Sequence, residues 1–316
     1  MRVFKSLLRF LLGVALLALS AWISLPLFEK INFSSINGVT ILSSVFFIFF
    51  IFFISGVVLR HLLLRHDCKM EWGTTLHLPY TMNLWGFIIP IQGSFIYFVA
   101  LLKAKYKLSI VNMSANYLWL FALELTIDGF IGLIFILIYK KALILFPVFF
   151  LMSTNLFFIY AFRFILIKIA PTPANRFAVR LSEKLNALVN EMYSFSFSEY
   201  LKFGFFSFFI TSIGVFWSFI LTQQLNLGID FAGLVLVAVL MRIGLLIKLT
   251  PGNLGTVQLA TGGIFTLLGY SIQDGIYLSL WQQGFILLVS IPFGILGTIL
   301  DSKFLTFNQL ISRARP

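Results

Sequence analysis

Residues 117–139 read YLWLFALELTIDGFIGLIFILIY. As an α-helix this segment is about 35 Å long, enough to cross a hydrocarbon core of about 30 Å. Glu124 and Asp128 stand within it, and no Lys or Arg does. An acid at the bilayer centre costs roughly 2.5–3.5 kcal/mol on insertion scales, so a residue placed there is expected to face a cavity or a cation. Asp128 falls near the middle of the run, and Glu124 lies one helical turn before it on the same face. Both acids are therefore expected to look toward one site.

Working outward, five charge-free runs accompany this segment: Phe10 to Phe28, Gly38 to Leu59, Ala142 to Phe162, Phe203 to Leu227 and Gly275 to Leu300. The composition agrees, with 316 residues, 60% apolar, 11% charged and a mean hydropathy of +1.00. A soluble domain carries about 25% charged residues, so a soluble enzyme, a disulfide-stapled secreted domain and a disordered tail are excluded. Cys68 is the only cysteine. The net charge of +12 sits between apolar runs rather than on a solvated face, which points to membrane topology and away from nucleic acid. Ala18-Leu19-Ser20-Ala21 after Arg2, Lys5 and Arg9 has the outline of a signal peptide, but the apolar run exceeds the usual ~7–15 residues, so an uncleaved first helix is expected.

Two further apolar stretches are interrupted. In residues 72–102, Pro79 and Pro90 stand with Gly86 and Gly93, so one straight helix is not expected. In residues 231–269, the run to Leu249 meets Thr250-Pro251-Gly252-Asn253-Leu254-Gly255 and restarts at Thr256. Both read as re-entrant hairpins of half-helices. With the amino terminus in the cytoplasm, 18 of the 23 basic residues fall on inside segments, Lys30, Lys140 and Lys141 fall outside, and Arg242 and Lys248 lie within the second interrupted stretch. The first hairpin is flanked by basic clusters and should open to the cytoplasm. The second is flanked by Gln223 to Asp230 and Gly269 to Asp274, without Lys or Arg, and should open oppositely. Placing Gly93 on Gly255 also places Ser109-Ile110 on Ser271-Ile272, each 16 residues later, as an inverted repeat would. Between the fourth and fifth spans, residues 172–199 recur as an amphipathic helix, to lie on the anionic cytoplasmic leaflet or pack on the protein's own loops.

No catalytic set emerges, since His61, His66 and His77 lack a zinc spacing and no Ser nucleophile motif is present. No cofactor is expected. The candidate site is instead the buried charge: Glu124 and Asp128 with Arg242 and Lys248 as partners, either a structural ion pair or part of a substrate, proton or ion path. The helix restart near Thr256 would present backbone N–H groups and a positive dipole end to an anionic group such as phosphate. Gln92, Gly93 and Ser94 would form the matching break; Pro251, Gly252, Asn253, Gly255 and Gln258 belong to the second.

Pro90-Ile91-Gln92-Gly93, then Glu124-Leu125-Thr126-Ile127-Asp128, then Leu249-Thr250-Pro251-Gly252-Asn253-Leu254-Gly255 resemble the ordered landmarks of the flippase-like transmembrane domain of lysylphosphatidylglycerol synthetases. The resemblance covers roughly Leu7 to Leu300 and implies a polytopic protein with re-entrant helices that moves lipids across the bacterial cytoplasmic membrane. It also implies a stand-alone member without a synthetase domain. Ser94 and Gln258 stand where the family tends to carry acids, and Leu125 where an Arg often follows the first acid. A site with fewer charges favours a glycan-bearing or phosphate-linked lipid over a cationic aminoacyl lipid.

The expected fold is an all-α integral membrane protein, a single polytopic domain over residues 1–316 with six transmembrane helices and two oppositely oriented re-entrant hairpins. Both termini are expected in the cytoplasm and the protein in the inner membrane. The expected partners are membrane lipids, anionic or polyprenyl-phosphate-linked, and a cytoplasmic glycosyltransferase. The expected function is lipid translocation for envelope biogenesis; a membrane enzyme using a lipid-linked sugar, or a scaffold for a glycosyltransferase, is the alternative.

Overall fold

The computed structural model describes residues 37–88, 93–108, 110–138, 140–168, 190, 193–244, 253 and 255–304. Among them every regular element is helical: α1 Gly38–Leu64, α2 Trp72–Ile88, α3 Gly93–Tyr106, α4 Ile110–Ile138, a 3-10 segment Lys140–Leu145, α5 Phe146–Lys168, α6 Phe197–Gln224, α7 Phe231–Gly244, α8 Thr256–Leu267 and α9 Ile272–Asp301. Four of these, α1, α4, α6 and α9, are long and apolar enough to cross a membrane. Their outward faces carry Leu42, Phe46, Ile134, Phe205, Phe216 and Ile299, all exposed. Only a lipid solvent makes such a surface favourable, so this is a membrane protein.

Several boundaries differ from the sequence expectation. The run from Phe10 to Phe28 lies outside the described residues, as does most of 172–199. The last three residues of that stretch, Phe197 to Glu199, form the first turn of α6 instead of an amphipathic helix. The reason is a capping box: the Glu199 amide donates to Ser196 Oγ, while the Ser196 amide donates to Glu199 Oε2 at 2.7 Å. The run expected to begin at Ala142 becomes helical only at Phe146, after the 3-10 turn. Pro147 then sits in the first turn, where its missing N–H leaves no helical bond unmade.

Pro79 does not break α2. The carbonyl it deprives of a donor, that of Thr75, lies directly against Gly56 of α1, where any side chain would overlap it. α2 ends at Ile88 and α3 begins at Gly93, and Gly86 lets Ser94 Oγ sit against the α2 backbone as α3 folds back on α2. The second interrupted stretch divides into α7 and α8, with Gly255 at φ 78° before the first residue of α8. At 14 and 12 residues these helices span about 21 and 18 Å, too short to cross.

The element order long, short, short, long occurs twice, as α1–α4 and as α6–α9, and the matched Ile110 and Ile272 open α4 and α9. Two apolar cores show how the chain runs. One gathers Ile48, Ile136, Phe149, Val215, Leu236, Phe265 and Phe285; the other gathers Leu62, Leu78, Leu101, Trp119 and Phe203. α1 runs from the first core to the second, and α4 and α6 run from the second to the first. α1 ends and α4 begins among residues of the second core, whereas α6 ends and α9 begins among residues of the first.

Candidate functional site

The level at which one core gives way to the other is polar. On α4 it lies between Leu123 and Ile136, on α6 between Phe203 and Val215, and these intervals hold Asp128 and Thr211. Arg242, near the end of α7, reaches both acids predicted on α4. Its Nε donates to Asp128 Oδ2 at 2.8 Å, and its Nη1 lies 3.4 Å from Glu124 Oε2. Thr211 Oγ1 donates to Asp128 Oδ1 at 3.0 Å and receives Arg242 Nη2 at 3.3 Å. The Asp128 side chain is 2% exposed, whereas those of Arg242 and Glu124 keep 23% and 21%.

This arrangement closes the ring of bonds around Asp128 and leaves the Glu124 end open. One guanidinium answers two acids, so Arg242 serves as counter-charge rather than as a vacant phosphate receptor. The repeated element order supplies a comparison. Where α4 meets α7 in this ionic contact, the corresponding helices α9 and α2 meet through Asn83 Nδ2, which donates to Ser290 Oγ at 2.8 Å, and through His77, whose Nδ1 lies 3.8 Å from Asp301 Oδ2.

Beyond the cluster, on the side of the first core, a partly open cavity of about 260 Å³ is lined by α1, α6, α7, α8 and α9. Trp217, Ser218, Met241, Thr261, Ser279, Gln282 and Gln283 are among its walls. The second break feeds this wall: Gln258, fully buried, takes the Gly255 N–H on Oε1 at 2.6 Å and donates through Nε2 to Gln283 Oε1 at 2.6 Å. Its amide thus caps the start of α8 from within. Asn253 adopts φ 56°, a left-handed conformation that Asn tolerates at a tight reversal.

Of the residues singled out by sequence, Glu124, Asp128 and Arg242 meet in one cluster, and Gly255 and Gln258 meet at the start of α8, behind Gln283 of the cavity wall. Gly93 and Ser94 begin α3 against α2. Gln92, Lys248, Pro251 and Gly252 lie outside the described residues. Sequence reading missed Thr211, whose hydroxyl is an ordinary feature of an apolar run until Asp128 is placed beside it. It also missed a second buried polar group: Tyr97 OH donates to Asp301 Oδ2 at 2.7 Å, with His77 Nδ1 3.8 Å from the same oxygen. These three tie α3, α9 and α2 together. Its one legible signal was an acid standing immediately after a charge-free run. Among the described residues no group of three His, Cys, Asp or Glu side chains has the arrangement of a metal site.

Neither a family model, nor a curated protein, nor a solved structure matches this chain.

Proposed function

We propose that the protein is a lipid translocase of the bacterial inner membrane, moving a polar-headed lipid past its buried charged cluster while the acyl or prenyl chains stay in the bilayer. In this reading six helices span, α2–α3 and α7–α8 are re-entrant pairs opening to opposite sides, and both termini are cytoplasmic. The resemblance to the flippase-like domain of lysylphosphatidylglycerol synthetases belongs to the same proposal, as does a cytoplasmic glycosyltransferase that makes or uses the cargo.

The observation that carries the reading is the Glu124–Arg242–Asp128–Thr211 cluster at the junction of the two cores, next to a cavity. Charged groups inside a membrane are costly and concentrate at transport paths. Short helix pairs that start from opposite ends and stop at mid-depth are the usual way a transporter brings irregular backbone and helix ends to a central site.

Reconstitution into vesicles with fluorescent lipids, scored by bleaching from the outer leaflet, tests the proposal. Asp128→Ala is expected to abolish lipid movement while the purified protein remains monodisperse. The exchange Asp128→Arg with Arg242→Asp restores opposite charges without restoring the path, so it is expected to assemble and stay inactive. Wild-type movement in Asp128→Ala, or full activity in the exchanged protein, would reduce the cluster to a helix lock and sink the proposal.

A further inference from the structure

We infer that the cavity beside the charged cluster receives an uncharged, hydroxyl-rich headgroup, a single sugar ring of a glycolipid. This rests on the lipid-translocation reading and names the class of its cargo. The position comes first. On α6, Thr211 binds Asp128 and Gly214, one turn further, lines the cavity; on α7, Arg242 binds the acids and Met241 and Ala238 line the cavity. A headgroup in the cavity therefore lies within one helical turn of the cluster.

The chemistry of the wall then selects the ligand. Among the described residues no Lys, Arg, Asp or Glu lines the cavity. Its hydroxyls all donate to main-chain carbonyls of their own helices: Ser218 to Gly214 at 2.7 Å, Thr261 to Val257 at 2.8 Å and Ser279 to Ile276 at 2.8 Å. What those oxygens offer a ligand is acceptor lone pairs. Gln282 Nε2 donates to Ser218 Oγ at 2.8 Å, and Gln283 is joined to Gln258. Trp217, its N–H donated to Ser44 Oγ at 3.0 Å, contributes apolar ring surface.

A phosphate brings only acceptors to hydroxyls that themselves offer acceptors, and no Lys or Arg among the described wall residues meets its charge. An ammonium brings donors, but no carboxylate among the described wall residues pairs with it, and Glu124 and Asp128 are already held by Arg242. Sugar hydroxyls bring donors without charge, and the apolar C–H face of the ring suits Trp217. The volume of about 260 Å³ lies at the small end of ligand pockets, of the order of one ring rather than an oligosaccharide.

The test is retention of lipid by the full chain in nanodiscs, read by native mass spectrometry with monoglucosyl-diacylglycerol and phosphatidylglycerol of the same acyl chains. The glucosyl lipid is expected to be held at least about tenfold more tightly. Two variants probe the cavity itself. Gly214→Leu fills it, and because a side chain at 214 meets no atom within 4 Å at its Cβ, the helix has room for the change. Gln282→Leu removes a polar wall group. Each is expected to lower glucosyl-lipid retention at least about tenfold, with phosphatidylglycerol retention and thermal unfolding unchanged for Gly214→Leu. Equal retention of the two lipids, or a Gly214→Leu protein that keeps the preference, overturns the inference. Vesicle transport of phosphatidylglycerol without glucosyl-lipid retention overturns it while leaving translocation standing; retention without transport of any lipid supports the cavity and removes the translocase.

Discussion

Asp128 and Arg242 stand 114 positions apart and meet at 2.8 Å, and their unequal surroundings set unequal consequences for replacing them. Without Arg242, two carboxylates four residues apart lose their shared cation inside the bundle. Without the Asp128 charge, Arg242 still has Glu124 at 3.4 Å. Arg242→Met is therefore expected to destabilise by about 3–5 kcal/mol, the range for leaving a buried charge unpaired, and Asp128→Asn by about 1–3 kcal/mol. Unfolding in detergent followed by circular dichroism measures both, and equal losses would mean that Glu124 does not share the cation. Cys68, in the loop after α1, provides a second residue-scale expectation. Burial, with the neighbouring Asp67 charge, pushes its thiol above the ordinary range. Because the thiolate is the reactive form, maleimide labelling is expected to be slow at pH 7 and to keep rising beyond about pH 8.5, where an ordinary thiol begins to level off.

At the scale of elements, small residues decide how closely helices approach. α4 and α5 pack through Gly129 and Gly132, where Cβ atoms would overlap the Ser153 backbone and the Phe149 ring. α9 meets α2 through Gly294 and Gly297, where they would overlap Leu84 and Thr81. In lipid the hydrophobic effect does not drive helices together, so this closeness is what supplies dispersion contacts. Gly129→Leu is expected to force α4 and α5 apart and to shift the neighbouring Asp128 on α4, costing assembly as well as transport; size-exclusion profiles and unfolding temperature would show it. A change at Gly38 or Gly284, where a Cβ would meet nothing, is expected to leave both measurements unaltered. The capping box at the start of α6 belongs to the same scale: Ser196→Ala is expected to cost about 1 kcal/mol, read by the same unfolding measurement.

For the molecule as a whole, the proposed topology puts the loop of Cys68 on the cytoplasmic side and the α6–α7 turn on the other. In vesicles of known orientation, an impermeant maleimide at pH 8.5 is expected to reach Cys68 from the cytoplasmic face. In a Cys68→Ser background, Gln223→Cys, an exposed position near the end of α6, is expected to react only from the opposite face. Labelling of both from one side would remove the oppositely facing helix pairs.

The sequence determined that the chain is helical and membrane-embedded, because long runs without charge leave the backbone no other way to satisfy its polar groups in lipid. It also marked the short helix pairs through Gly and Pro, and the acids on α4 through their cost. That Pro79 stays inside α2 was not readable, because the tolerance of a helix for proline depends on what lies beside the freed carbonyl, and that was Gly56 of another helix. Tertiary structure alone decided that Arg242 pairs with both acids, that Thr211 completes the pair, that Tyr97, Asp301 and His77 converge, and that a cavity opens beside the cluster. Each of these joins residues from different helices. Periodicity along one helix specifies which face is apolar, but not which helix comes to face it.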